Sequence, residues 1–217
     1  MLSGVAMADS VKFYGGDFDG QNGLSDERGN PVNDAWVFDD FNWAGGTLTK
    51  VFGNYLSNVA TITGMEFEIR SGVSAGNGGT LVASGGGSFT WGVTGAGGFG
   101  LAQYTGVLDV SDFNLAAGTY FLAVHPIFDD SGRAFLATTG GANSVGTPIA
   151  NGNAFFRSTF FNSYYDTMPN ILGNEADFSQ GVYGLTMVPL PPAALAGGAT
   201  LAGLAGFRAV RRRATKA

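Results

Sequence analysis

Residues 65–70 read Met65-Glu66-Phe67-Glu68-Ile69-Arg70, and this stretch decides the fold class. Apolar and charged side chains alternate without a break, which is the period of a β-strand with one buried and one solvated face. The next residues, 72–79, are rich in glycine and include an Asn-Gly pair, so a tight turn follows the strand. This part of the chain therefore predicts an antiparallel hairpin.

The same combination of short β-rich runs and glycine-rich turns extends in both directions from this hairpin. We predict further strands at 35–43, 47–52, 80–84, 88–93, 100–110, 119–125, 133–138, 154–160 and 182–187. No long run with a helical period occurs before residue 188. Ten short strands of this kind predict an all-β protein, an antiparallel β-sandwich of jelly-roll type that spans residues 9–187.

The composition excludes several classes of protein. The chain has 217 residues, of which 36 are glycine and only 13% are charged, against about 25% charged residues in an average soluble protein. It has no cysteine, which excludes disulfides, thiol nucleophiles and thiolate metal sites. It has one histidine, which excludes metal centres that need several.

The net charge of −6 is unevenly distributed along the chain. Five basic residues lie within the last ten positions: Arg208, Arg211, Arg212, Arg213 and Lys216. The remaining 207 residues carry 6 basic and 17 acidic side chains, a net charge of −11. A body of that sign repels phosphate backbones, so a nucleic-acid partner is not expected.

The tail consists of three parts in a fixed order. Val188-Pro189-Leu190-Pro191-Pro192 is followed by residues 193–207, which carry no charge, and then by the arginine cluster. A helix over 193–207 would be about 22 Å long, shorter than the roughly 30 Å hydrocarbon core, and it reaches membrane length only marginally when 189–192 are included. The basic flank is typical of a cytoplasmic stop. The alternatives are an Ala-rich helix packed on the domain and a disordered tail.

This order of proline motif, apolar helix and Arg-rich end resembles the VPLPA variant of the PEP-CTERM sorting signal, found in exported proteins of Gram-negative bacteria. The resemblance covers residues 188–217. It implies a single apolar transmembrane helix, transient anchoring in the inner membrane, and cleavage near Val188, Pro189, Leu190, Pro191 and Pro192 by an exosortase-type protease. The family usually has Ala where this chain has Pro192. By the same resemblance Arg208, Arg211, Arg212 and Arg213 are the stop-transfer charges.

Two further features fit an exported protein. Ala6-Met7-Ala8 has the small-x-small form of a signal-peptidase site, so we expect residues 1–8 to be the remnant of a signal peptide whose true start lies upstream. Residues 22–28 (NGLSDER), followed by Phe38-Asp39-Asp40-Phe41, resemble the opening of PEP-CTERM bodies, a turn that leads into a strand.

Asp17, Asp19, Asn22 and Asp26 form the densest cluster of side-chain oxygens, together with Glu27. Ca²⁺ prefers six to eight hard oxygen ligands, so these residues are candidate calcium ligands, although their spacing is not that of an EF-hand. The alternative is a solvated acidic turn. Asp39-Asp40 and Asp129-Asp130 are weaker candidates, because the strand period points one carboxylate of each pair inward, where it accepts backbone hydrogen bonds. No other cofactor is expected.

No catalytic residue is predicted. Residues 72–76 match the Gly-x-Ser-x-Gly pattern of a nucleophile elbow, but the glycine-rich residues after them cannot begin the helix that the elbow requires. Residues 95–100 match Gly-x-Gly-x-x-Gly but precede a strand instead of a helix. His125 is interpreted as a residue at the end of a strand.

The sequence thus predicts a non-enzymatic β-sandwich exported to the cell surface or extracellular matrix, with a structural or adhesive role in exopolysaccharide or biofilm. One alternative is a carbohydrate-binding module stabilised by calcium, because one ring of pairs such as Phe155-Phe156 and Phe160-Phe161 is expected in the core and the other on the surface. The alternative for these rings is that most of them cover each other or lie under loops. Another is a polysaccharide hydrolase, which would show a cleft with two facing carboxylates.

Overall fold

The computed structural model describes residues 5–95, 97–129 and 131–189, which form fourteen strands and one short helix. In chain order these are β1 (Val5–Tyr14), β2 (Phe18–Ser25), β3 (Trp36–Trp43), β4 (Gly46–Ser57), β5 (Gly64–Ser71), β6 (Thr80–Gly86), β7 (Ser88–Gly95), β8 (Ala102–Leu115), β9 (Gly118–Ile127), β10 (Ala134–Thr139), β11 (Phe155–Ser158), β12 (Ser163–Thr167), α1 (Met168–Leu172), β13 (Asp177–Phe178) and β14 (Gln180–Pro189).

The strands form two antiparallel sheets. The large sheet has eight strands, with β7 and β8 on one side of β4 and with β14 and β10 on the other. β10 also pairs with β2 and with β13. The small sheet has six strands in the order β12-β11-β3-β9-β5-β6. Contacts divide the chain into a main unit, Ser10–Gly184, and a smaller unit that includes residues 5–9 and 185–189.

The core of the main unit contains the inward side chains of both sheets. The alternation predicted for residues 65–70 is confirmed, since Met65, Phe67 and Ile69 are buried and the charged residues between them are partly exposed. Across the core, the Tyr55 hydroxyl of β4 donates to the carbonyl of Val124 in β9. The arrangement confirms the predicted all-β class and the two-sheet sandwich.

The outer face of the small sheet carries a second apolar cluster, which includes Trp36, Phe38 and Tyr165. The guanidinium of Arg157 lies 5.1 Å from the Trp36 ring centroid and bonds to Glu68. β3 is consequently buried on both faces except at Asn42. A strand of this kind shows no alternation of apolar and polar residues, and the polar residues within it require partners.

All ten predicted strands are present, with ends shifted by a few residues. β1, β2, β12 and β13 were not predicted as strands, and the NGLSDER stretch, expected as a turn, supplies the second half of β2. The predicted C-terminal helix and most of the sorting signal, residues 190–217, lie outside the described residues. Within the described ranges, no helix combines the length and apolar character needed to cross a bilayer.

Candidate functional site

The first two predicted calcium ligands lie at the start of β2, where other side chains already bind them. Asp17 accepts hydrogen bonds from the Tyr14 hydroxyl at 2.8 Å and from the Asn143 amide at 2.6 Å. Asp19 Oδ1 accepts from the Thr138 hydroxyl at 2.7 Å and from the Gln21 backbone at 2.9 Å. Both carboxylates therefore fasten β2 to the adjacent part of the large sheet and its loops.

The other two predicted ligands have different surroundings. Asn22 Oδ1 accepts from the Gly23 backbone at 2.8 Å. Asp26 is fully buried, and its Oδ1 accepts from the Val37 backbone at 3.0 Å, whereas its Oδ2 has no partner. Among the described residues, the three acids Asp17, Asp19 and Asp26 do not form a group of carboxylates close enough to share an ion.

The NGLSDER stretch connects several elements. Glu27 Oε1 accepts hydrogen bonds from the Ser25 hydroxyl and from Arg133 Nε, both at 2.7 Å, and Glu27 Oε2 accepts from the Ala134 backbone at 2.5 Å. Arg28 pairs with Glu66 of β5 at 2.8 Å. The stretch therefore joins the end of β2 to β10 and to the small sheet, which is a structural role.

A group of three carboxylates lies elsewhere and was only partly anticipated. Asp39 and Asp40 of β3 and Asp177 of β13 each offer one oxygen, and these oxygens all lie within 4.8 Å of one another. The three residues expose 2, 6 and 8% of their surfaces. We call this group the carboxylate triad; it is the one such cluster among the described residues.

Backbone and amide groups from three segments hold the triad. Asp39 accepts from the Asp40 backbone at 3.0 Å and from the Phe178 backbone at 2.7 Å, as expected for the inward member of an adjacent pair. The expectation that the other member is solvated was wrong, because β3 is covered on both faces and Asp40 is buried as well. Asp40 Oδ2 accepts from the Asn151 amide at 3.2 Å, and Asp177 Oδ2 accepts from the Gly152 backbone at 2.8 Å. Gly152 has a φ of +72°, a conformation that glycine adopts without strain.

The electrostatics of the triad disfavour three bare negative charges. Burial raises the pKa of Asp39 well above its ordinary value, and the nearby charge of Asp177 adds to this effect. Burial also raises the pKa of Asp40 and the pKa of Asp177. Arg28, Arg70, Arg133, Arg157 and His125 lie beside glutamates outside the triad. A proton or a cation must therefore balance this group.

A surface cleft of about 530 Å³ opens beside the triad. Its lining residues include Asp19, Asn22, Thr138, Gly152, Glu175 and Asp177. No basic and no aromatic residue is among its lining residues. Two of the predicted calcium ligands, Asp19 and Asn22, thus share a cleft with one member of the triad, Asp177.

The sequence patterns of hydrolases and dinucleotide-binding proteins lie in turns. Ser74 belongs to the β5–β6 turn, where its backbone exchanges hydrogen bonds with Asn77, and no helix follows it. Gly95 ends β7, and Ala102 begins the antiparallel neighbour β8. His125 is buried against the Trp36 ring at 3.7 Å, with its Nδ1 3.1 Å from the Ala35 carbonyl oxygen.

An aromatic surface lies at the β11–β12 turn. Phe160, Phe161 and Tyr164 are exposed, and the rings of the first two meet edge to face with centroids 4.9 Å apart. We call these three residues the aromatic patch. The expectation that one ring of Phe160-Phe161 is buried was wrong, because this pair lies in the turn and not in the strand. In the other pair Phe156 is buried as expected, whereas Phe155 is half-buried against the second apolar cluster instead of lying on the surface.

Comparisons with models of protein families, with curated proteins and with solved structures each give no match.

Proposed function

We propose that this chain is an exported, non-enzymatic β-sandwich protein of jelly-roll type that is sorted through its C-terminal signal. In this proposal residues 188–217 anchor it transiently in the inner membrane by one apolar helix, and an exosortase-type protease removes them. The body then reaches the cell surface or the extracellular matrix, where it has a structural or adhesive role in exopolysaccharide or biofilm material.

The observation that carries the proposal is the order of three parts at the end of the chain. A proline motif, an uncharged segment and an arginine cluster follow one another within residues 188–217. The rest of the chain carries a net charge of −11, so the +5 tail differs sharply from the body. Positive charge next to an apolar segment favours retention on the cytoplasmic side, which supports a stop-transfer role for the arginines.

The test is to express the full chain in a Gram-negative host with and without an exosortase and to follow its mass and location. We expect a membrane-bound form without the protease and a shortened, released or surface-attached form with it. Replacing Pro189 and Pro191 by Ala should block shortening, whereas Arg28→Gln in the body should not. Processing that is independent of the protease and of the proline motif would refute the proposal.

A second candidate, a carbohydrate-binding module, is favoured by the aromatic patch. Exposed rings on a β-protein can stack on sugar rings, and Phe160 and Phe161 in the turn and Tyr164 at the start of β12 offer three of them. We expect glycan binding, if present, to disappear in Phe160→Ala and Tyr164→Ala. Phe99→Ala is the control, because Phe99 is also an exposed ring but lies in the β7–β8 turn.

A polysaccharide hydrolase is the remaining candidate, and the acidic cleft makes it testable. Asp19 and Glu175 are the exposed carboxylates of this cleft. Asp19 already accepts hydrogen bonds from Thr138 and Gln21, so Glu175 is the residue to test. Reducing-sugar release from exopolysaccharide that Glu175→Gln abolishes would establish hydrolysis. Binding without release would favour the module, and neither binding nor release would favour the structural role.

A further inference from the structure

The carboxylate triad combines three properties that, taken together, point to a ligand. Asp39, Asp40 and Asp177 bring three oxygens within 4.8 Å of one another in a setting that is more than nine-tenths buried. The donors around them are neutral. They are the backbones of Asp40, Phe178, Asn151 and Gly152 and the side-chain amides of Asn151 and Asn153. Neutral donors orient carboxylates but do not cancel their charge.

A second observation, independent of the clustering, is an oxygen without a partner. Asp40 exposes only 6% of its surface; Asn151 binds its Oδ2, whereas its Oδ1 is buried and accepts no hydrogen bond. An unpaired buried carboxylate oxygen is costly, and native proteins rarely leave one without a proton, a donor or a metal ion. Since the Asp40 carboxylate belongs to the triad, this oxygen is available to an ion that the triad shares.

The spacing of the oxygens fits a calcium ion. Ca²⁺ binds oxygens at about 2.3–2.6 Å, so two oxygens on the same ion can lie up to about 4.6–5.2 Å apart. Mg²⁺ binds at about 2.0–2.1 Å and demands an octahedron, which restricts the same separation to about 4.2 Å. All three separations lie within 4.8 Å, which is compatible with calcium. The buried setting disfavours magnesium, because Mg²⁺ gives up its bound water reluctantly.

We propose that Asp39, Asp40 and Asp177 bind one calcium ion, which fastens β3 of the small sheet to β13 of the large sheet and to the segment 151–152. The adjoining cleft, which Gly152 and Asp177 line, gives water access to the remaining coordination positions. The site is distinct from the calcium site predicted around Asp17, Asp19, Asn22 and Asp26. It does not depend on the export proposal, because it concerns only the cohesion of the sandwich.

The test uses the full chain, stripped with EDTA and dialysed, and measures calcium binding by isothermal titration and thermal unfolding with and without Ca²⁺. At about 5 mM, above the roughly 10⁻⁴–10⁻³ M range of extracellular calcium modules, we expect saturable binding of one ion and a higher Tm. Mg²⁺ at the same concentration should raise the Tm less.

Asp40→Asn and Asp177→Asn identify the ligands. Each variant removes one negative charge from the triad, so we expect it to fold in EDTA at least as well as the wild type while binding calcium at least about tenfold more weakly. Asp17→Asn and Asp19→Asn are the matched controls and should keep wild-type calcium affinity.

Three outcomes would overturn the proposal. The first is wild-type protein that shows neither heat of binding nor a change in Tm at millimolar Ca²⁺, which would mean that protons alone balance the triad. The second is an unchanged calcium response in both triad variants. The third is loss of the response in Asp17→Asn or Asp19→Asn alone, which would place the ion at the start of β2. A triad variant that fails to fold even in EDTA would contradict the expected relief of like charges.

Discussion

At the residue scale, Glu27 is a buried carboxylate whose charge is balanced by a single guanidinium. Arg133 is 34% exposed, whereas Glu27 is 1% exposed, and their side chains meet at 2.7 Å. Removing the cation leaves the carboxylate buried with only neutral donors. Breaking a buried ion pair costs about 3–5 kcal/mol, and partial exposure of Arg133 reduces this, so we expect Arg133→Met to lower the free energy of unfolding by about 2–3 kcal/mol.

Arg28→Met is the matched control for this prediction, to be measured in parallel by urea denaturation. Arg28 is 52% exposed and its partner Glu66 is 34% exposed, so solvent screens the pair and its loss should cost less than about 1 kcal/mol. An equal loss in the free energy of unfolding for the two variants would show that burial of Glu27 does not make its ion pair more important for stability.

Asp26 makes the stability of the folded state depend on pH, with a sign opposite to that of a salt-bridged acid. Burial raises the pKa of Asp26 above its ordinary value of 3.8, and the charge of Glu27 adds to this; the Tyr55 hydroxyl also lies within electrostatic range. The folded state therefore takes up this proton before the unfolded state does. The contribution of Asp26 to stability increases as pH falls through the folded-state pKa and levels off near 3.8.

We expect Asp26→Asn to be more stable than the wild type at pH 8, by about 1 kcal/mol, because it removes an unbalanced buried charge and keeps an acceptor for the Val37 backbone. The difference should shrink as the pH is lowered. Urea denaturation at a series of pH values measures it, with the exposed Asp112→Asn as control. A difference that stays constant with pH would disprove the role of this proton.

At the element scale, β7 is an edge strand of the large sheet, and two partly buried side chains secure it. Phe89 and Trp91 pack against the core, while most other residues of β7 are exposed. The Trp91 ring stacks on Tyr104 with centroids 4.9 Å apart, and its Nε1 donates to the Val59 carbonyl at 3.0 Å. Edge strands have neighbours on one side alone, so such anchors determine whether they stay docked.

We expect Trp91→Ala to destabilise the protein by about 3 kcal/mol and Trp91→Phe, which keeps most of the ring contact but loses the N–H donor, by about 1 kcal/mol. Val93→Ala on the same strand is the control; Val93 is exposed, so its cost should stay within about 0.5 kcal/mol. Chemical denaturation measures all three. The anchor hypothesis fails if Trp91→Ala costs no more than Val93→Ala.

Elements also show what the sequence could predict. The strand at 65–70 could be predicted because its alternation is a local signal. The glycine-rich turns marked the ends of the nine other predicted strands. β2 was missed because Phe18–Ser25 contains turn-forming Asp, Gly and Asn, and only pairing with β10 makes it a strand. Asp39 and Asp40 were visible as a weak pair, but Asp177 comes from a two-residue strand remote in sequence, so no local pattern could complete the triad.

At the scale of the whole molecule, net charge limits which polysaccharides the body of this chain can bind. Without residues 188–217 the chain has a net charge of −11, and the lining of the cleft beside the carboxylate triad includes three acids and no base. Like charges repel most strongly at low ionic strength, where the Debye length is about 30 Å at 0.01 M salt. The body should therefore avoid acidic polysaccharides under these conditions, while contacts of the aromatic patch with neutral sugars should be nearly independent of salt.

Affinity electrophoresis can test this expected difference between acidic and neutral polysaccharides. In EDTA at low salt we expect the migration of the body to be unchanged by an acidic polysaccharide in the gel, and any retardation by a neutral one to persist at about 0.5 M NaCl, since apolar contacts are not screened. The full chain should differ, because its five basic tail residues provide an attractive segment for acidic polymers. Retardation of the tail-free body by an acidic polymer in EDTA would show that local geometry outweighs net charge, and it would redirect the search for a partner toward anionic glycans.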